Sequence, residues 1–273
     1  MSRQFRLLRV LCAVAVLSGL PVTAAAQTAR ADLARARTAY NQREFDEAII
    51  AAAAARRSAD TADQAAIVLA RAHLERYRER ADPSDLSAAR TILGSVRTGT
   101  LDERDEVELL LALGEALFLE DDFGAAAELL ESGLARARID PELLESMLEW
   151  WGSALERQAS AAAPDARQRH YGRMAERMRM ELSKVPSSPA ASYWMVVGLR
   201  GAGEVERAWD AAVSAWVRAR LTGHRSATLR ADLDQLVVRG IIPDRVRHVA
   251  RDQRAAAESQ LRAHWELVKE RWK

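Results

Sequence analysis

The side chains here that could do chemistry are carboxylates, arginines and aromatics rather than nucleophiles or metal ligands. The five histidines (His73, His170, His224, His248, His264) lie far apart, and none stands in an H-E-x-x-H or similar ligand spacing. Each therefore reads as a solvated helix residue. No G-x-S-x-G elbow and no G-x-x-x-x-G-K phosphate loop occurs. Gly201-Ala202-Gly203-Glu204 opens like a glycine-rich loop but follows no strand, so it reads as a tight helix hairpin. The acidic runs Asp102 to Glu106 and Glu120-Asp121-Asp122 fit helix starts, where acids cap free N–H groups and meet the helix dipole. They lack the loop spacing of a calcium site. The sequence thus assigns no catalytic residue, no metal ligand and no cofactor.

The tryptophans are the remaining candidates for recognition. Trp150, Trp151, Trp194, Trp209, Trp216, Trp265 and Trp272 all fall in the second half of the chain. Adjacent helix positions point about 100° apart, so Trp150 and Trp151 cannot face one neighbour. One of them is expected at a groove or a seam, and most of the others in the core.

The N-terminus reads as a secretory signal. Arg3, Arg6 and Arg9 form a positive region, Val10 to Leu20 an apolar stretch, and Ala24-Ala25-Ala26 a cleavage site before Gln27. The apolar stretch is short for a membrane span. Cys12 lies too early in it for a lipoprotein signal. Removing residues 1–26 takes away three arginines and no acids, so 40 basic residues become 37 against 39 acidic ones, a formal charge of −2. A near-neutral chain lacks the basic footprint of a nucleic-acid binder. The expected mature protein has no cysteine, no disulfide and no stable membrane span, and is periplasmic or secreted.

Alanine, leucine, arginine and glutamate dominate what remains, with no sustained period-2 alternation, and this predicts an all-α fold. Breakers divide the chain into five helix pairs: about 28–42 with 44–59, 61–81 with 83–97, 102–120 with 122–137, 140–160 with 164–184, and 189–201 with 204–222. Residues 224–273 form a C-terminal cap, with one helix ended by Gly240 and Pro243 and a last helix from about 244 to the terminus.

Small, aromatic and small residues recur at fixed offsets: Ala36, Phe45 and Ala48 in the first pair, Gly114, Phe123 and Ala126 in the third. With Leu110, Leu113, Leu117 and Leu130 around them, these residues resemble the tetratricopeptide (TPR) repeat, a 34-residue helix–turn–helix unit. The offsets elsewhere are degenerate. The resemblance, to secreted bacterial proteins of this kind, implies a TPR-like right-handed helical solenoid over residues 27–223. Gly114 is expected to face Ala126 across the third pair.

What the resemblance implies for function is a non-catalytic scaffold of the bacterial cell envelope that binds a protein or peptide on the concave face of its first helices. The expected contacts are Arg37, Tyr40 and Asn41 from the first pair, Arg71 and Glu75 from the second, and Glu115 and Phe118 from the third. Arg37 has Leu33 and Asn41 at its four-residue offsets and so no local acid, which makes it the foremost ligand contact; Glu75 could satisfy Arg71. Arg37→Glu is then expected to weaken binding while changing stability by about 0.5 kcal/mol or less. The alternatives are a structural spacer docking through the C-terminal half, and a helical support for an envelope enzyme.

Overall fold

A computed structural model describes the backbone of residues 20–273, with side chains from residue 25. Most of the expected signal peptide, residues 1–19, lies outside the described residues. The fold is all-helical, with no strand among the described residues. The chain divides after Ala112 into two compact units.

Unit 1 holds α1 (Leu20–Asn41), α2 (Phe45–Ala55), α3 (Ala62–Arg80) and α4 (Pro83–Leu93). Each packs on the next, and α1 also packs on α3. α5 (Glu103–Leu119) carries the chain onward. Unit 2 continues with α6 (Phe123–Gly133), α7 (Pro141–Ala161), α8 (Pro164–Lys184), α9 (Pro189–Gly201), α10 (Val205–Arg218), α11 (Ser226–Leu236), α12 (Ile242–Val246) and α13 (Arg254–Arg271). Here too successive helices from α6 to α11 pack together, and α9 packs on both α7 and α11.

The helix starts follow from local chemistry. Asp82, Asp140 and Ser188 each precede a proline in the first turn, whose missing N–H has no helical partner to lose. Their side chains accept from Ser84 N at 2.9 Å, Glu142 N at 2.8 Å and Ala191 N at 3.1 Å. Three hairpins share one turn. Arg43 (φ 62°), Asp121 (φ 62°) and Gly203 (φ 84°) each take the left-handed conformation. The next residue then donates back to a carbonyl near the end of the preceding helix: Glu44 to Ala39, Asp122 to Leu117 and Glu204 to Leu199, each at 2.9 Å.

The small residues do bring helices together, although not always the expected ones. A Cβ on Gly114 would stand 2.5 Å from Leu130 of α6, so its partner is Leu130, one turn beyond the expected Ala126. Gly152 on α7 admits the Trp194 ring of α9 instead of facing α8. A Cβ on Gly198 would come within 2.7 Å of the backbone nitrogen of Ala175, which fixes the approach of α9 to α8.

Residues 224–273 join the core of unit 2. Leu229, Leu233, Val237, Ile241, Ile242 and Trp265 pack in one cluster with Trp209 and Trp216. Gly240 and Pro243 do not end the helix as expected. Residues Val237–Ile241 form a π turn, and α12 follows with Pro243 in its first turn. The last helix then starts at Arg254 after a loop. A proline is tolerated at such a point because its ring meets no α-type hydrogen bond to break.

Candidate functional site

Unit 1 gathers its charges into internal pairs. Arg37 on α1 donates to Asp105 on α5 at 3.0 Å, across 68 residues of chain. This corrects the expectation that Arg37 lacks an acid: the acid is remote in sequence. Burial, together with Asp102, pushes the Asp105 carboxyl up, while Arg37 pulls it down. The Arg71 guanidinium lies over the Tyr40 ring at 4.8 Å, and Tyr40 meets Phe45 edge-on at 5.9 Å. Glu75 accepts two bonds from Arg78 at 2.9 Å, so its ion pair is with Arg78 rather than Arg71. Asn41 is exposed at the last position of α1.

The same closure recurs between α3, α4 and α2. Asp85, 2% exposed, takes the Arg76 guanidinium through both oxygens and the His73 Nδ1 at 2.7 Å, while Arg76 also reaches Asp46 at 2.9 Å. Burial acts to raise the Asp85 carboxyl, but Arg76 and His73 lower it on balance. His73 is therefore a partly buried hydrogen-bond partner of Asp85 and not the solvated residue expected. Asp63 accepts from Arg97 N at 3.1 Å and from the Thr100 hydroxyl at 2.7 Å, which lowers its carboxyl in the same way despite burial.

In unit 2, Glu115 is 1% exposed, where an open groove residue was expected. Phe118 is half-buried, edge-on to Phe123 at 5.2 Å and to Trp150 at 5.1 Å. Trp151 is fully buried, so Trp150 is the member of that pair nearer the surface.

A different set of residues converges on the alternate helices α7, α9 and α11. Glu149 and Glu156, Tyr193 and Arg200, and Asp232 and Arg239 stand seven residues apart on their helices or on the π turn that continues α11. A seven-residue step is two turns, so each pair shares a face. Trp194 Nε1 donates to Glu149 at 2.9 Å and ties α9 to α7. Arg200 Nε donates to Asp244 at 2.7 Å and ties α9 to α12. Gly240 makes this possible, because a Cβ there would stand 2.7 Å from the Arg200 guanidinium carbon.

Between α9 and α11 lies a cavity of about 340 Å³, lined by Tyr193, Arg200, Asp232, Gln235, Leu236, Arg239 and Gly240. The one carboxylate in this lining is Asp232, and it stands with Arg200 and Arg239. Glu149, Glu156 and Asp232 enter no ion pair among the described residues. Glu149 keeps an exposed edge, yet the protein packed around it pushes its carboxyl up, against the Trp194 N–H. Burial raises Glu156 against the pull of Arg200 and Arg157; Asp232 is exposed, and the protein beside it raises its carboxyl by partial loss of solvent. Tyr193 is pushed up to about 12 by burial and by Glu156, Asp232 and Glu149. No group of three metal-binding side chains occurs among the described residues. No helix among them is long and apolar enough to cross a membrane.

No local motif marks this face in the sequence, because the six positions are spread over 91 residues, from 149 to 239. The usable signal was the seven-residue step repeated on alternate helices. Comparison of the chain with family models, with curated proteins and with solved structures gives no match.

Proposed function

We propose that this chain is a non-catalytic protein- or peptide-binding scaffold of the bacterial cell envelope, built as a TPR-like right-handed array of helix pairs. Support for the repeat reading comes from the turn shared by three hairpins and from the packing of α1 on α3 and of α9 on α7 and α11. The observation that carries the binding reading is the face of α7, α9 and α11, where an open recess is lined by Tyr193, Arg200, Asp232 and Arg239, and where Asp232, with Glu149 and Glu156 of α7, has no ion-pair partner among the described residues. Charged side chains left unpaired at a concave surface are available to a partner, and Glu149 and Asp232 are exposed. The binding surface is accordingly placed on unit 2. Export with cleavage after Ala26 is compatible with the burial pattern, since residues 25–28 are not buried.

A pulldown from envelope extract with the exported chain, repeated with Asp232→Arg, tests the reading. Retention of a partner by the native chain and its loss from the variant is expected; equal retention on both counts against this face. The spacer alternative has its own observation, the exposed Leu221, Leu267 and Trp272 of unit 2. Loss of the partner on Leu267→Ser with Trp272→Ser, and not on Asp232→Arg, favours that alternative. N-terminal sequencing of exported protein should begin at Gln27.

A further inference from the structure

We propose that the recess between α9 and α11 binds an extended peptide through an acidic side chain, whose carboxylate is taken by Arg200 and Arg239. This rests on the reading of the face as a peptide-binding surface and names the group that the surface selects. The cavity, about 340 Å³, lies at the small end of ligand sites, which span about 300–1,000 Å³, and suits a side chain with a short run of main chain.

The two arginines share one end of the recess. Gly240 follows Arg239 on the π turn, and it abuts the Arg200 guanidinium so closely that a Cβ there would stand 2.7 Å from its carbon. Tyr193 and Asp232 each lie seven residues earlier on their own helices, which puts them at the other end, about 10 Å away. Arg200 is pinned by one edge: its Nε donates to Asp244 Oδ2 at 2.7 Å, and its two terminal nitrogens make no hydrogen bond among the described residues. Asp244 divides its charge, since its Oδ1 takes Arg247. Arg239 is exposed, and its side chain meets no acid among the described residues. Glu156 of α7 acts on Arg200 but stays outside ion-pair distance and outside the lining. Three guanidinium groups at this end thus meet two carboxylates, and the one without an acid, Arg239, lines the recess. Planar forks of N–H donors match a carboxylate, so an acidic side chain fills this end best. Gln235 stands between the two ends with an amide that can both donate to and accept from a peptide main chain. Asp232 can accept a main-chain N–H, and it repels a second acid about three extended residues from the first.

The test is selection of a random heptapeptide display pool on the full exported chain, followed by titration calorimetry of the best peptide with its C-terminus amidated. Enrichment of aspartate or glutamate at one fixed position is expected. Replacing that acid by its amide should weaken binding about five- to tenfold, as for a charged hydrogen bond at a partly open site. The amide penalty should shrink to within about twofold in Arg239→Gln, and stay full in Arg251→Gln, an exposed arginine of the loop before α13. A second acid placed three residues from the first should weaken binding to the native chain and not to Asp232→Asn. Circular dichroism establishes that each variant is folded. Peptides enriched with no acidic preference, and bound equally by Arg239→Gln, overturn the inference but leave the peptide-binding reading standing. A pool with no enrichment overturns both. A free C-terminus that restores the affinity lost with the acid keeps a carboxylate at the arginine end and assigns it to a chain terminus. N-acetylglutamate binding as tightly as the whole peptide overturns the peptide as occupant.

Discussion

On the first helices of unit 1, Arg37 meets Asp105 and Arg71 covers Tyr40, whereas on α7, α9 and α11 the carboxylates of Glu149, Glu156 and Asp232 meet no cation at ion-pair distance. Both faces are built from the same kinds of residue on alternate helices. What differs is register. In unit 1, opposite charges recur at 34 residues, as for Asp63 with Arg97, or at 68, as for Arg37 with Asp105, so that stacked units pair acid with base. In unit 2 the steps are 44 from Glu156 to Arg200 and 39 from Tyr193 to Asp232, and three carboxylates on this face stay without an ion-pair partner among the described residues. A charged face is a binding candidate only after its internal partners are subtracted, and that subtraction moves the candidate surface from unit 1 to unit 2.

The largest expected effect tests the packing that holds the unit 2 face together. Gly198→Val should destabilise by about 3 kcal/mol in urea unfolding, because backbone and not a mobile side chain blocks the new Cβ. Gly99→Val, where nothing lies within 4 Å, should cost far less. Equal losses would remove the close approach of α8 and α9 from the account.

Next comes the closed network of unit 1. Asp85→Asn should cost about 2–3 kcal/mol, since it strips a buried carboxylate from Arg76 and His73. The Asp85 and Asp63 carboxyls are lowered in the folded state, so the unfolded chain binds more protons. Their contribution is present above the ordinary carboxylate range and is lost as pH falls through the lowered values. Hydrogen exchange on the full chain should show α3 and α4 losing protection first in acid; protection that is flat with pH there would contradict the network.

Arg37→Glu should destabilise by roughly 1–2 kcal/mol, discounted from a fully buried pair because Arg37 is half exposed. That exceeds the surface value its local sequence suggests, and a change below about 0.5 kcal/mol would mean the pair with Asp105 contributes nothing.

The smallest effect has the opposite sign. Asp232→Asn should leave stability within about 0.5 kcal/mol or raise it slightly at neutral pH. Its carboxyl is raised on folding, as are those of Glu149 and Glu156, so the folded state binds more protons and loses stability as pH rises above the ordinary carboxylate range. A clear destabilisation by Asp232→Asn would reveal an internal partner and erase the contrast between the units.

The helices were legible because punctuation is local. Asp82-Pro83, Asp140-Pro141 and Ser188-Pro189 mark starts, and Gly201-Ala202-Gly203 marks a turn, whatever surrounds them. Contacts were less so. Gly114 signals a close approach, but whether Ala126 or Leu130 fills it depends on the rotation of α6, which an offset of twelve does not define. The acid for Arg37 lies 68 residues away, beyond any four-residue rule. Tyr193, Arg200 and Asp232 were missed for the same reason, since each is an ordinary helix residue until three helices align. Pro243 misled in the opposite direction, as a breaker that the π turn accommodates.

That π turn has a consequence for insertions and deletions. An α turn holds 3.6 residues and a π turn about one more, so Val237–Ile241 carries a surplus residue within an unbroken helix. Loss of a single codon here would leave both flanks helical yet rotate everything beyond by about 100°. Asp244 would swing off Arg200, and the released guanidinium would leave the recess with two arginines against the single carboxylate of Asp232. One in-frame deletion, with no substitution at the recess itself, would thus change the charge that the recess presents.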